Sequence, residues 1–300
     1  MILTVCLGLS AIAALYLAGP WALAYWSTHP YRIRTPIRPP TDLGPYIDAT
    51  FVTSDGVRLS GWYLSNPRAK AVVVVCHGHQ ANRTQCLPIV RSLLEEGLNV
   101  LAFDFRRTGR SDGDISTIGY LERLDIIAAV DWIRAQPGSN NLSIGVFGHS
   151  MGGAAAILAS AEDHRISAVA SHGAYATLTR AIDQRGRFFL GLLGPILSVP
   201  AAAMGRRWLQ VDPAMVAPSV VVGRIAPRPV LILHGSNDPL VCPEDARILY
   251  ESAGEPRALH WLRHSYHLSV DRRDQSGFHQ TLRSFFSRTL LHPNRSIRTI

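Results

Sequence analysis

The sequence predicts an α/β fold: a mostly parallel, doubly wound sheet with a short helical lid, preceded by an N-terminal transmembrane helix. Three observations lead there. Segments of strand and helix character alternate between residues 71 and 290, the pattern of parallel strands joined by crossover helices. Ala71-Val-Val-Val-Val-Cys76 is an unbroken apolar run rich in β-branched residues, as a strand buried on both faces requires. From Ile2 to Trp26 no side chain is charged.

As a helix rising about 1.5 Å per residue, that first stretch is long enough to cross a hydrocarbon core of about 30 Å. Trp21, Tyr25 and Trp26 then read as an interfacial aromatic belt. The expectation is a single-pass membrane anchor over residues 1–27. Arg32, Arg34 and Arg38 follow it and nothing basic precedes it, so the positive-inside rule expects the folded domain on the cytoplasmic side. The alternative is a cleaved signal peptide, with Ala22-Leu23-Ala24 as its small-x-small site, and an exported protein. Pro30, Pro36, Pro39, Pro40 and Pro45 make residues 28–45 a stiff, extended spacer that holds a domain off the membrane. No motif residue precedes His77, so the N-terminal stretch is expected to contribute location rather than chemistry.

The folded domain is expected over residues 46–300. Two strand-like segments, Tyr46–Thr53 and Val57–Leu64, flank Asp55-Gly56, a hairpin turn signal. Strand Ala71–Cys76 leads to a helix near residues 83–96, strand Asn99–Phe103 and a helix near 120–134. Strand Leu142–Phe147, helix Met151–Ala161 and strand Ile166–Ser171 continue the alternation. Later come strand Pro229–Leu233, helix Glu244–Ala253, strand Ala258–Leu262 and a helix near 272–290. The interval 176–226 breaks the pattern. It lacks a clear strand and is too long for a bare connection, so a helical lid is expected there. The competing reading, a second membrane span over Phe188–Met204, is interrupted by Pro195 and Pro200.

An apolar fraction of 47% with 17% charged residues argues for a packed core rather than disorder. The net charge of +8 comes almost wholly from arginine, since Lys70 is the only lysine, and the arginines are scattered without aromatic interleaving. Nucleic acid is therefore not an expected partner. The four cysteines show neither metal-ligand spacing nor a disulfide framework, and no nucleotide or flavin motif occurs. No cofactor or metal is expected. Oligomeric state is not legible.

The chemistry centres on Gly148-His-Ser-Met-Gly152. It follows an apolar strand and opens a helix of small residues, where a nucleophile elbow must lie for the Ser150 hydroxyl to project above the sheet. Glycines at 148 and 152 allow the tight turn, because a Cβ at either position would clash. A serine hydroxyl needs a base to take its proton, and the base needs an acid to fix its tautomer. In such folds the order is Ser, Asp, His, each after a strand. Asp238 follows strand Pro229–Leu233, and two histidines, His264 and His267, follow strand Ala258–Leu262. His234 and His260 fall inside expected strands and read as core or edge residues. Asp104 reads as a loop organiser. An oxyanion needs two backbone N–H donors, expected from Met151 after the nucleophile and from His79 in Cys76-His-Gly-His-Gln80.

On these residues the chain resembles the α/β-hydrolase superfamily from about Tyr46 to Leu290. His77-Gly78, Asp104 with Gly109-Arg-Ser111, Gly148–Gly153 and His234-Gly-Ser-Asn-Asp238-Pro-Leu-Val241 look like family signatures in family order. Trp261–Asp271 is similar to the histidine loop of bacterial carboxylesterases and monoglyceride lipases, and that likeness puts the catalytic histidine on His267. The resemblance implies cofactor-free hydrolysis of a small-molecule or lipid ester through an acyl-enzyme, with Ser150, Asp238 and His267 as triad. Serine peptidases and thioesterases share the fold, and a non-catalytic binding protein on it is a further alternative. Two departures are visible: Arg106-Arg107 stands where Arg-Gly is usual after the aspartate, and the lid does not resemble a well-known lipase cap.

Overall fold

The β-branched runs pair into one eight-stranded sheet. Its strands are β1 (Tyr46–Val52), β2 (Arg58–Leu64), β3 (Ala71–Cys76), β4 (Asn99–Asp104), β5 (Ser143–His149), β6 (Ile166–His172), β7 (Val230–Gly235) and β8 (Arg257–Leu262). Their spatial order is β1-β2-β4-β3-β5-β6-β7-β8. β1 and β2 form the hairpin expected around Asp55-Gly56, β2 runs antiparallel to β4, and the pairs from β4 through β8 are parallel. The computed structural model describes residues 18–66, 68–267 and 275–292. Most of the expected membrane span lies outside the described residues, as do Leu268–Asp271 of the histidine loop and the expected start of the last helix.

Helices cover both faces, and the period of two along β3 divides the interior between them. Val72, Val74 and Cys76 join the core beneath α3 (Glu122–Arg134), α4 (Met151–Glu162) and α8 (Pro243–Ser252). Ala71, Val73 and Val75 join the core beneath α2 (Leu87–Glu95) and α9 (Gln275–Phe286). All six β3 residues are buried, which is why the run shows no alternation of polarity. The helix expected near 83–96 begins as a 3₁₀ turn, Arg83–Cys86, before α2.

Only helical elements occur from 178 to 225: α5 (Leu178–Leu190), α6 (Gly194–Leu209), the short α7 (Pro218–Val221) and three 3₁₀ turns. By length and composition Leu178–Leu209 is apolar enough to cross a membrane, with 17% of its apolar window buried. It is not one rod. α5 and α6 fold back on each other, so closely that a Cβ on Gly194 would lie 2.5 Å from the Gly186 backbone. Each helix is about 20–24 Å long, short of a hydrocarbon core. Asp245 of α8 ties down the base of α5, accepting from Ala176 N (2.8 Å), Arg180 Nε (3.1 Å) and Gln184 Nε2 (2.6 Å).

The segment expected as a spacer, 28–45, is docked along the domain. Arg32 donates to the carbonyls of Ser111 (2.6 Å) and Gly113 (3.0 Å), Thr35 Oγ1 donates to Asp104 (2.7 Å), and the carbonyls of Ile33 and Ile37 accept from Asn82 and Trp62. The prolines remove N–H donors from the segment, and the carbonyls of the residues between them, Ile33, Thr35 and Ile37, find partners on the domain. Ahead of it, residues 18–28 are helical (α1), with Ala24 and Thr28 buried and Trp21, Tyr25 and Trp26 exposed.

Candidate active site

β5 ends at His149 and α4 begins at Met151, which leaves Ser150 alone to turn the chain. Its φ of 54° and ψ of −118° belong to the strained corner that lifts a side chain above a sheet. Two glycines make the corner possible. A Cβ on Gly148 would lie 2.1 Å from the Gly152 carbonyl oxygen, and one on Gly152 would lie 2.4 Å from that of His77. Ser150 N donates to the His172 carbonyl at 2.7 Å, fixing the corner to β6. Met151 N, at the first position of α4, has no intrahelical acceptor.

The structure brings Ser150, His267 and Asp238 together. His267 Nε2 is 2.9 Å from Ser150 Oγ and Nδ1 is 2.6 Å from Asp238 Oδ2. A carboxylate only accepts, so the ring proton sits on Nδ1 and Nε2 is free to accept from the hydroxyl. All three residues are buried. Burial alone would raise the Asp238 carboxyl. The hydrogen bond and charge of His267 and the Val241 N–H outweigh it and hold Asp238 below the ordinary carboxylate value. Leu240 N and Val241 N both donate to Asp238 Oδ1, at 2.9 and 3.0 Å. His264, the other histidine of the loop, is exposed, and its backbone N donates to Ser236 Oγ at 2.9 Å.

His79 lies beside the same corner. A Cβ on its neighbour Gly78 would be 3.5 Å from Ser150 Cβ. Its imidazole donates from Nε2 to the Ser27 carbonyl at 2.8 Å, tying α1 to the site, and burial lowers its pKa to about 4. His79 also lines a cavity of about 340 Å³ walled by α1, α5 and α6. Leu23, Ile118, Leu178, Phe189 and Leu209 give it a largely apolar lining, and among the described residues no Asp or Glu contributes to it. The N-terminal segment, expected to add only location, is therefore one wall of the cavity. Asp104 organises the loop at the ends of β3 and β4, accepting from Arg83 N (2.9 Å), Arg83 Nη2 (2.8 Å), Arg110 N (2.9 Å) and Thr35.

Several further residues support the site, and two of them, His172 and Gly173, carry no signal in the sequence. His149 Nδ1 and His172 Nδ1 are 2.8 Å apart, so one ring donates and the other accepts. The His149 ring also lies 5.1 Å from that of His267. Burial, reinforced by the charge of neighbouring histidines, depresses both pKa values, that of His149 to about 3. Gly173, at φ +61°, makes room for the His267 ring: a Cβ there would lie 3.2 Å from its Cε1 and Nδ1. His77 donates from Nδ1 to the Gly78 carbonyl (2.7 Å) and accepts the Phe105 N–H at Nε2 (3.0 Å), bridging the ends of β3 and β4. His234 is buried, donates to the Val241 carbonyl and lies 3.5 Å from Asp238 Oδ2. Among the described residues no cluster of His, Cys, Asp and Glu is arranged to hold a metal.

The parallel sheet with its antiparallel leading edge and a serine at the β5–α4 elbow define an α/β hydrolase. Residues 67–220 match the sequence profile of the serine aminopeptidase S33 family, and the chain belongs to that family. It is 30% identical over 217 residues to the uncharacterized protein YfhR of Salmonella typhimurium, covering 69% of this chain and 70% of that one. The uncharacterized protein YqkD of Bacillus subtilis is 24% identical over 238 residues, covering 77% and 75%. Among solved structures, the esterase Pf2001 of Pyrococcus furiosus superposes with a TM-score of 0.72 at 27% identity, over 87% of this chain and 99% of that one.

Proposed function

We propose that this hydrolase cleaves carboxylic esters with apolar acyl groups through an acyl-enzyme on Ser150. The observation that carries the proposal is the unbroken path from Ser150 Oγ through His267 to Asp238, at 2.9 and 2.6 Å, on a strained elbow. Ser150 Oγ attacks the ester carbonyl while its proton passes to His267 Nε2. Asp238 holds the ring and stabilises the imidazolium. The tetrahedral oxyanion accepts the N–H groups of Met151 and His79. Collapse expels the alcohol, protonated by His267, and water repeats the sequence on the acyl-enzyme.

The family description names an aminopeptidase, but the cavity favours an ester. An aminopeptidase must receive a cationic peptide terminus, and the cavity that adjoins the site through His79 presents Arg185 and Arg206 and, among the described residues, no carboxylate to pair with one. The likeness to an archaeal esterase at 27% identity supports the same choice. A thioester would fit the same machinery, since its carbonyl develops the same oxyanion. A purely binding role would leave the elbow strain and the hydrogen-bonded path without a use.

The proposal extends to place: residues 1–27 anchor the chain, with the domain on the cytoplasmic side as Arg32, Arg34 and Arg38 suggest. Exposed Trp21, Tyr25 and Trp26 on α1 and Phe188, Phe189 and Leu192 by the hairpin support a neighbouring lipid surface. The test of function is fluorophosphonate labelling with turnover of p-nitrophenyl esters and aminoacyl-p-nitroanilides. Wild-type protein is expected to label and to hydrolyse the esters, and Ser150→Ala to do neither. Faster turnover of the anilides, or labelling of Ser150→Ala, overturns the proposal.

A further inference from the structure

One side of α5 is an apolar stripe at helical spacing that lines the cavity, Leu178, Ala181, Ile182, Gly186 and, at its exposed end, Phe189, interrupted by Arg185. All six residues line the cavity. Three other arginines of the hairpin are paired: Arg180 with Asp245 at 3.1 Å, Arg187 with Asp183 at 2.9 Å, and Arg206, the other arginine of the lining, with Asp212 at 3.1 Å. Arg185 makes no hydrogen bond or ion pair with any described residue, and its Nε is buried without a partner. With its Nε enclosed and no carboxylate among the described residues of the largely apolar lining, the guanidinium faces the cavity without a counter-ion there and is partly desolvated at a cost that nothing in the lining offsets. The arrangement becomes favourable once a ligand brings the anion. A guanidinium presents a planar fork of donors that matches a carboxylate or a phosphate.

We propose that Arg185 is an anion-recognising, specificity-determining residue, and that the substrates are amphiphilic esters carrying a carboxylate or phosphate as well as an apolar chain. This rests on the esterase reading for its chemistry and adds the class of substrate. Arg185 touches the substrate's anion, not the reacting carbonyl. The apolar walls take the chain, and a neutral ester of the same length leaves the cation unpaired.

The experiment compares matched pairs of esters on the full-length protein. One pair is p-nitrophenyl octanoate and the p-nitrophenyl half-ester of octanedioic acid, which places a carboxylate at the far end of the acyl chain. The other is 1-dodecanoylglycerol and its 3-phosphate, which places a phosphate on the alcohol. The wild type is expected to prefer the anionic member of one pair, and that pair identifies the source of the anion. Arg185→Leu should lower that preference, as a ratio of kcat/KM values, about 30-fold, mainly through KM. Arg185→Lys should restore part of it. Arg185→Gln replaces the leucine variant if that one fails to melt cooperatively. An unchanged ratio in the variants, or a neutral preference in the wild type for both pairs, overturns the proposal. If no ester is turned over, the esterase reading fails by itself. The anion site is then read from protection of Ser150 against fluorophosphonate by dodecyl phosphate relative to dodecanol. Protection by the phosphate that is lost in Arg185→Leu sustains the site, and equal protection in both proteins ends it.

Discussion

Replacing Gly173 with alanine adds one methyl group at the most sensitive point of the site. The new Cβ would sit 3.2 Å from His267 Cε1 and Nδ1 and 3.7 Å from Asp238 Oδ2. Contact at 3.2 Å is a few tenths of an ångström too close, so the imidazole must move by about that much. The ring is held at 2.6 Å on one side and 2.9 Å on the other, and any such movement lengthens at least one of these bonds. A misplacement of about 1 Å costs on the order of 100-fold in rate, so a third of that should lower kcat about 3- to 10-fold with KM little changed. The backbone adds a separate cost. At φ +61° an alanine loses about 1–2 kcal/mol, offset by about 0.4–1 kcal/mol of reduced chain entropy in the unfolded state, a net loss of about 1 kcal/mol. For a chain of this size that lowers Tm by about 2–4 °C. Gly97→Ala separates the two effects, because Gly97 has φ +80° and nothing within 4 Å of its Cβ position. It should lose the same stability and keep wild-type kcat. Steady-state turnover of p-nitrophenyl butyrate and a thermal melt of both variants make the comparison. Equal kcat in the two would refute the argument that Gly173 is there to admit the His267 ring.

Other outcomes follow from the same geometry. Asp238→Asn keeps the shape but no longer requires the ring proton on Nδ1, and kcat should drop on the order of 10⁴-fold while probe binding is less affected; a drop below tenfold would remove Asp238 from the triad. His149, with a folded pKa of about 3 against an ordinary 6.5, binds its proton first in the unfolded chain as pH falls. Its contribution to stability is complete above about pH 6.5 and is lost progressively toward pH 3, at about 1.4 kcal/mol per pH unit for one proton. Urea unfolding at pH 6, 5 and 4 should show a shallower acid loss in His149→Asn, and an unchanged slope would show that His149 is not the group responsible. Arg107, at φ +66°, occupies a left-handed position, so Arg107→Gly should gain up to about 1 kcal/mol and a higher Tm, with no gain counting against strain there.

The sequence displays what is local. The run Ala71–Cys76 and the alternation after it mark strands and helices because each element declares its burial through its own residues. Gly148-His-Ser-Met-Gly152 is legible for the same reason, since the elbow's constraints act within five consecutive positions. Sheet order is not legible: that β4 lies between β2 and β3 depends on which crossover packs where. The pairing of His149 with His172 joins residues 23 apart through strand register. Gly173 matters only because His267 arrives beside it from far along the chain. Proline spacing in residues 28–45 reports stiffness and says nothing of what a stiff segment lies against. Arg107 shows the converse, a residue that departs from the expected glycine while the backbone keeps the left-handed turn that glycine favours.

The strap from α1 to β1 has a mechanical consequence. A domain on a flexible tether samples every bearing within reach, and its contact with a surface is a matter of chain statistics. Here Arg32, Ile33, Thr35 and Ile37 are bonded to the domain in succession, and Thr35 closes onto Asp104, which is itself held by Arg83 in the buried interior. Almost no slack remains between α1 and the sheet. Whatever the N-terminal segment is fastened to, the hydrolase meets it at one bearing, as a tool in a fixed mount rather than on a cord. Lengthening the chain between residues 28 and 45 would not re-aim it, because the bonds that set the angle are those that hold the loop around Asp104.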